Sequence, residues 1–230
     1  MSNEIVVKDI GLCFYNDALA IQQEHFESLI AFKLKKKDSP IPYNLLLVCE
    51  HYPVITIGKS GKHEHLLVNK QRLLDESIQY FEVNRGGDIT IHNPKQLVLY
   101  PILDLDYFFN DVKKYMWSLE EVVIKTLLEY NIFADRSVGE TGVWINLDKN
   151  PQKIAAMGVK MSRWVTMHGL ALNINNDLSL FDYIIPCGIS NKSVTSMRAE
   201  LGVDLDMEEV KNKLINNFFE VFNAEKILSQ

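Results

Sequence analysis

Cysteine is scarce in this sequence: Cys13, Cys49 and Cys187 are the three in 230 residues. With no Cys-x-x-Cys spacing and no even count, they give no disulfide framework, argue against structural zinc and point to a reducing compartment. Positive charge is also short. Twenty-four basic residues against 30 acidic ones leave a net charge of −6, without the basic footprint that nucleic-acid binding needs. Lys33, Lys35, Lys36 and Lys37 form one basic group, read as a solvated helix end. No apolar run approaches the ~18 residues of a membrane span. The N-terminal Met1-Ser2-Asn3-Glu4-Ile5-Val6-Val7 lacks a positive leader and apolar core, so a cytoplasmic protein without membrane or nucleic-acid partners is expected. Gly-x-Gly-x-x-Gly before a helix is missing, which speaks against dinucleotide binding. His63 and His65 flank Glu64 without helical His-x-x-x-His spacing, so no metal site is expected there. Repeats, low-complexity segments and linkers are missing too, and residues 1–230 read as a single domain.

What is present suits an ordinary globular core, with 47% hydrophobic and 23% charged residues. The patterning predicts a strand over 4–10 and a helix from Tyr15 to about Lys36 with Leu19, Gln22, Phe26, Leu29 and Ile30 on one face. Strands are expected at 44–50, 54–58, 79–84, 88–92 and 96–101, with a short helix over 69–76. The longest helix should run from about Phe109 to Tyr130, burying Val112, Met116, Leu119, Val123, Leu127 and Leu128. After strands near 132–135 and 142–147, a hairpin turns around Ser162. Its second strand should place Trp164, Thr166, His168, Leu170 and Leu172 on one face and Gly169 and Ala171 on the other. Asp206 begins an Asp-x-x-Glu capping pattern before a C-terminal helix to about Asn223. Strands in runs with helices between them favour α+β with a mixed sheet.

Several segments carry chemistry. Cys187 lies in Ile184-Ile185-Pro186-Cys187-Gly188-Ile189, where an apolar run breaks into a rigid turn that would keep a thiol reachable. A free thiol with pKa ~8.5 is only a few per cent ionised at neutral pH. A nearby ammonium favours the anion, and a fall of ~2 units makes thiolate the majority form. Lys153, opening the apolar stretch to Val159, is the candidate cation. The pair suggests acyl transfer, although a cysteine taken singly is usually packing and a lysine usually a solvated charge. Cys13 and Cys49, inside apolar or strand-like runs, are read as packing.

The segment from Arg85 to His92 has paired glycines that permit close backbone approach to a ligand, or simply a hairpin. Gly86, Gly87, Ala155, Ala156, Gly158, Gly169 and Ala171 either leave a slot for an alkyl chain or allow tight packing. Burying seven carbons in such a slot would contribute roughly 5 kcal/mol. His92 and His168 either orient substrate and buffer protons or are satisfied structural histidines.

Taken together, these segments resemble the lipoyl(octanoyl) transferase family of lipoate biosynthesis. The match runs from about Asn44 to Gly202 and rests on ordered blocks. They include Glu50-His51-x-Pro53-Val54-x-Thr56-x-Gly58, Arg85-Gly86-Gly87-Asp88-Ile89-Thr90-x-His92 and Tyr100-Pro101-Ile102-Leu103-Asp104-Leu105. Gly142-Val143-Trp144, Lys153-Ile154-Ala155-Ala156-Met157-Gly158, Ser162 to Asn173 and Pro186-Cys187-Gly188-Ile189 complete them. The resemblance implies a biotin/lipoate protein ligase-like fold, a larger mixed sheet and a smaller one flanked by helices. It implies octanoyl-acyl carrier protein as donor, and as acceptor a lysine on lipoyl domains of 2-oxoacid dehydrogenases or on the glycine-cleavage H protein.

By motif match, Cys187 would hold the octanoyl thioester and Lys153 would lower its pKa. Arg85, Gly86, Gly87, Asp88, Ile89, Thr90, Ile91 and His92 would line the acyl site with Ala156, Met157, Gly158, Gly169, Leu170 and Ala171. No metal, nucleotide or other cofactor is expected, and the expected state is a monomer. The chain departs from the family pattern at Asn93, Lys95 and Leu99, where glycine is usual, and Ile91 replaces an aromatic. Lysine is a poor substitute in left-handed backbone, and Leu99 would crowd the site. The rival readings are an ATP-dependent lipoate-protein ligase and a non-catalytic acyl or carrier-domain binding relative.

Overall fold

The structure, a computed structural model, describes residues 2–34, 42–185 and 193–227. Nearly continuous apolar runs build its centre. β2 (Asn44–His51) and β6 (Gln96–Ile102) are buried along almost their whole length, as strands covered on both faces must be. They pair antiparallel, and β1 (Glu4–Cys13) joins β2 in parallel. β9 (Gln152–Ser162) and β10 (Val165–Asn173) form the expected hairpin. Its turn residues Arg163 and Trp164 both have positive φ, 51° and 65°, the two-residue geometry that matches strand twist.

With β7 (Asp135–Ser137), β8 (Glu140–Ile145), β11 (Ser193–Val194) and β12 (Glu225–Ile227), the described residues form a nine-stranded mixed sheet. Its order is β12-β1-β2-β6-β10-β9-β8-β7, with β11 pairing β9. A second sheet of three strands has the order β4-β3-β5, from β3 (Val54–Ile57), β4 (Gln79–Glu82) and β5 (Ile89–His92).

Helices cover both faces of the large sheet. α1 (Tyr15–Lys33) packs Ala18, Phe26 and Leu29 against Leu45, Leu47, Val98 and Met167. On the other face, α3 (Val112–Leu128) and α5 (Met207–Phe222) press Leu119, Val123 and Phe218 onto Leu46, Leu99, Leu170 and Leu172. Each such side chain contributes roughly 1.5–3 kcal/mol. α2 (Lys70–Asp75) closes the small sheet through Leu73, and α4 (Met197–Leu201) is capped by Ser196. Asp206 caps α5 as expected, accepting from the N–H groups of Glu208 and Glu209. Among the described residues, no helix is long and apolar enough to cross a membrane.

Three readings change. α3 starts at Val112 because the Asp111 carboxylate accepts the Lys114 N–H and fixes the first turn there. Its buried stripe keeps Leu119, Val123 and Leu127 and adds Tyr115 and Val122, whereas Val112 and Leu128 at its ends are exposed. In β10, Trp164 belongs to the turn, and His168 takes φ +61°, breaking strict alternation.

Candidate functional site

The small sheet does not stand clear of the large one. Gly86 donates its N–H to the Val159 carbonyl at 2.8 Å, tying the Arg85–Gly87 loop to β9. A side chain at Gly158 would meet the Gly86 oxygen at 2.9 Å, so glycine there is what lets the loop lie on the strand. Gly169 serves close packing as well, since a Cβ would sit 2.1 Å from the Leu99 oxygen on β6. Tight packing at these points and an open slot beside them turn out to be compatible.

The slot is a cleft of about 620 Å³ between the two sheets, in the size range of small-molecule sites. Arg85, Gly86, Gly87, Asp88, Ile89, Thr90 and His92 line one side. Lys153, Ala156, Met157, Gly158, Gly169, Leu170 and Ala171 line the other. Ile91 does not reach it. Its side chain packs in the small sheet's own core with Ile55 and Leu73, where it is 1% exposed. Cys187 lies outside the described residues. The described residues flanking that segment meet the cleft walls: the Ile185 N–H donates to the His65 oxygen at 2.8 Å, and Val194 pairs with Lys153.

Lys153 projects from β9 with its Nζ 4.6 Å from the centre of the Trp144 ring. Glu120 from α3 lies near enough to feel its charge and also binds Arg136 and the Gly142 N–H. Burial raises the Glu120 pKa, and these donors oppose the rise.

Arg85 forms the polar floor. Its guanidinium donates to the Thr56 carbonyl at 2.8 Å and to the Gly86 carbonyl at 3.0 Å, bracing the loop. Burial pushes the Tyr15 hydroxyl up to about 12 against the pull of Arg85. Burial also lowers both His92 and His168 to about 3, with the Arg85 charge adding to the effect. His92 faces Gln96 Oε1 at 2.7 Å through Nδ1, so Nδ1 carries the proton. Neutral at physiological pH, the two histidines are hydrogen-bonding groups and not proton buffers.

Their protonation therefore opposes folding. The unfolded chain binds these protons from about pH 6.5 downward, whereas the folded chain resists until about pH 3. Stability should be complete above that window and fall through it, by about 1 kcal/mol per pH unit for each histidine. Urea midpoints measured between pH 7 and 4 should fall less steeply in His92→Gln than in the wild-type protein.

Sequence spacing missed one pair. His65 and Asp88 are distant in the chain, yet Nδ1 and Oδ2 lie 2.6 Å apart at the cleft wall, both largely buried. No periodicity announces such a contact, because it joins a short helical turn at His63–His65 to the residue just before β5.

The departures from the glycine pattern also have a location. Lys95 adopts φ +69°, the left-handed geometry that favours glycine, and its N–H donates to Glu50 Oε2 at 2.6 Å. Lys95→Gly should stabilise the fold by about 0.5–1 kcal/mol, since relief of that strain exceeds glycine's entropy cost. An upward shift of the urea midpoint with an unchanged slope would report it. Leu99 is buried in the core beneath α3 and α5 and does not line the cleft, so its side chain does not crowd the slot.

Residues 15–219 match the family model of the lipoyl protein ligase A/B catalytic domain. The chain is 48% identical to an octanoyltransferase of Christiangramia forsetii, with 98% of each chain covered. It is 49% identical to an octanoyltransferase of Cytophaga hutchinsonii, covering 96% of this chain and 93% of the other. Among solved structures, the bipartite lipoate protein ligase of Thermoplasma acidophilum superposes with a TM-score of 0.71 at 16% identity. That superposition covers 100% of this chain and 88% of the other, and it shows a shared fold. A small sheet pinned across a larger one, with the cleft between them, is thus a fold held in common with lipoate ligases, and the chain belongs to the lipoyl protein ligase A/B catalytic domain family.

Proposed function

We infer that this protein is an acyltransferase that moves an octanoyl group onto a protein lysine in lipoate biosynthesis. The observation that carries the reading is its near-half identity, over almost the full length, to proteins named octanoyltransferase. The donor is octanoyl-acyl carrier protein. The acceptor is a specific lysine of lipoyl domains in 2-oxoacid dehydrogenases or of the glycine-cleavage H protein. The protein acts as a cytoplasmic single-domain monomer.

Cys187 is the nucleophile, and Lys153 is the cation that holds its sulfur ionised. The thiolate attacks the carbonyl carbon of the donor thioester. One C–S bond forms to Cys187 as the bond to the carrier's sulfur breaks, and the carrier leaves as a thiol after taking a proton. Exchange of one thioester for another is nearly balanced in energy. The acceptor lysine, as a neutral amine, then attacks the same carbon and expels the Cys187 thiolate, and its surplus proton passes to water or to Lys153 where that residue gave its own proton to the departing carrier sulfur. Amide formation makes this second step favourable.

The cleft suits the acyl chain. Its walls of Ile89, Met157, Leu170 and Ala171 are apolar, whereas its polar groups gather around Arg85, Lys153 and the His65–Asp88 pair. Transfer of the seven carbons beyond the carbonyl out of water contributes roughly 5 kcal/mol to binding.

Incubation with octanoyl-acyl carrier protein and a lipoyl domain should add one octanoyl group to the domain without ATP. A requirement for ATP with free lipoate would indicate a ligase instead. Carrier binding without turnover would indicate a non-catalytic relative.

A further inference from the structure

The two cysteines read as packing residues converge on a third donor. Cys13 ends β1, whereas Cys49 and His51 are alternate residues of β2 and therefore point to the same face. The strands run in parallel with Cys13 opposite His51. Cys13 Sγ lies 3.7 Å from His51 Nδ1, and Cys49 Sγ lies 3.5 Å from His51 Nε2. One donor atom from each of the three residues falls within 4.8 Å of the others. None of the three lines the cleft. The Tyr100 hydroxyl, which does line it, sits 2.8 Å from His51 Nε2.

We propose that Cys13, Cys49 and His51 form a site for a thiophilic d¹⁰ cation, with zinc as its occupant. Two sulfurs and one imidazole make a soft set that favours zinc over calcium or magnesium. Tetrahedral zinc with bonds of ~2.3 Å to sulfur and ~2.0 Å to nitrogen holds those atoms about 3.5 Å apart. The Cys13 Sγ–Nδ1 separation, 3.7 Å, is already of that size, whereas the 3.5 Å contact of Cys49 Sγ is with the ring's other nitrogen, Nε2.

The ring must commit one nitrogen. Nδ1 as ligand leaves the Nε2–H free to donate to the Tyr100 hydroxyl, the outer hydrogen bond that metal-binding histidines almost always make. Cys49 then closes on the metal from within the 4.8 Å cluster. Cys49 and His51 are buried, whereas Cys13 is only partly so and opens a path for the ion and for water as fourth ligand.

Only thiolates bind the metal, so both thiols release their protons to solvent as the two Zn–S bonds form.

A disulfide fits less well. Cys49 lies two residues before the partner of Cys13, a diagonal relation across the strand pair. Such diagonals hold Cβ atoms roughly 7 Å apart, against ~3.8 Å in a disulfide. The sulfurs meet only at their tips, which suits a bridging ion.

The test uses the full chain carrying Cys187→Ser, which leaves Cys13 and Cys49 as the only thiols. Titration with Cd²⁺ should develop a thiolate-to-metal charge-transfer band that saturates at one ion per chain. Zn²⁺ should displace the ion and raise the melting temperature. Adding Cys13→Ser should weaken binding by more than the ~10–100-fold that outer-shell changes cause, and Cys49→Ser should do the same. Because Cys13 is partly exposed, its variant folds and decides the matter alone if the Cys49 variant does not. A missing band would overturn the proposal, as would a band unchanged by Cys13→Ser. So would a Cys13–Cys49 disulfide found by peptide mapping of the air-exposed protein.

Discussion

Cys187→Ala should leave the protein folded and reduce octanoyl transfer by roughly 10⁴-fold or more, about 5 kcal/mol of transition-state stabilisation. The size follows from the proposed chemistry. Without the sulfur, the acceptor amine must attack the carrier thioester directly, with the carrier and the lipoyl domain at the cleft together. The two-step route lets them visit in turn and keeps the acyl group as an activated thioester between visits. Parallel lines in a plot of reciprocal rate against reciprocal donor concentration, at several lipoyl-domain concentrations, would show that exchange in the wild type. An alanine variant within tenfold of wild type would remove the covalent step.

Lys153→Met should be the second most damaging change, with a fall of roughly 10²–10³-fold. Methionine keeps the apolar stem that lies against Trp144 and Gly142 but deletes the ammonium. If that charge lowers the Cys187 pKa by ~2 units, its loss returns the thiol to a few per cent ionised at neutral pH. The ionisation effect alone costs about tenfold or more, and loss of the proton relay in the second step costs the rest. Iodoacetamide labelling against pH reads the first part directly. The Cys187 profile should move to higher pH in Lys153→Met, and an unmoved profile would remove the electrostatic role. Labelling must be resolved by peptide, because Cys13, with its pKa brought down to about 5, is also ionised at neutral pH.

Local chemistry made much of the architecture legible before any coordinate. Asp206 and Glu209 mark a helix start because a carboxylate satisfies exposed N–H groups, and two apolar runs meeting around Ser162 mark a hairpin, although its turn residues are Arg163 and Trp164. The continuous apolar run of β2 fits a buried strand, and the structure buries it along almost its whole length. What was hidden is what depends on distant partners. β12 is three residues long and exists because β1 offers it an edge, which no pattern within Glu225–Ile227 encodes. The α3 stripe buries Leu119, Val123 and Leu127 as the spacing predicts, but Val112 and Leu128 at the helix ends are apolar and face solvent.

The cleft divides along the same line. Its small residues and Lys153 stand in recognisable blocks, and the structure gathers them around one cavity. Ile91 stands in the same contiguous block, yet its side chain is taken up by the small sheet's core. Cys13 with Cys49 and His51 is made by strand register, and His65 with Asp88 by the tertiary fold, neither of which the sequence displays.

The most direct test is to mix the protein briefly with octanoyl-acyl carrier protein, quench in acid and map its peptides by mass spectrometry. One octanoyl group, labile to hydroxylamine, should sit on the Cys187 peptide and disappear when a lipoyl domain is added before the quench. Octanoyl transfer that proceeds with Cys187 unmodified, or with the acyl group on another residue, would contradict it.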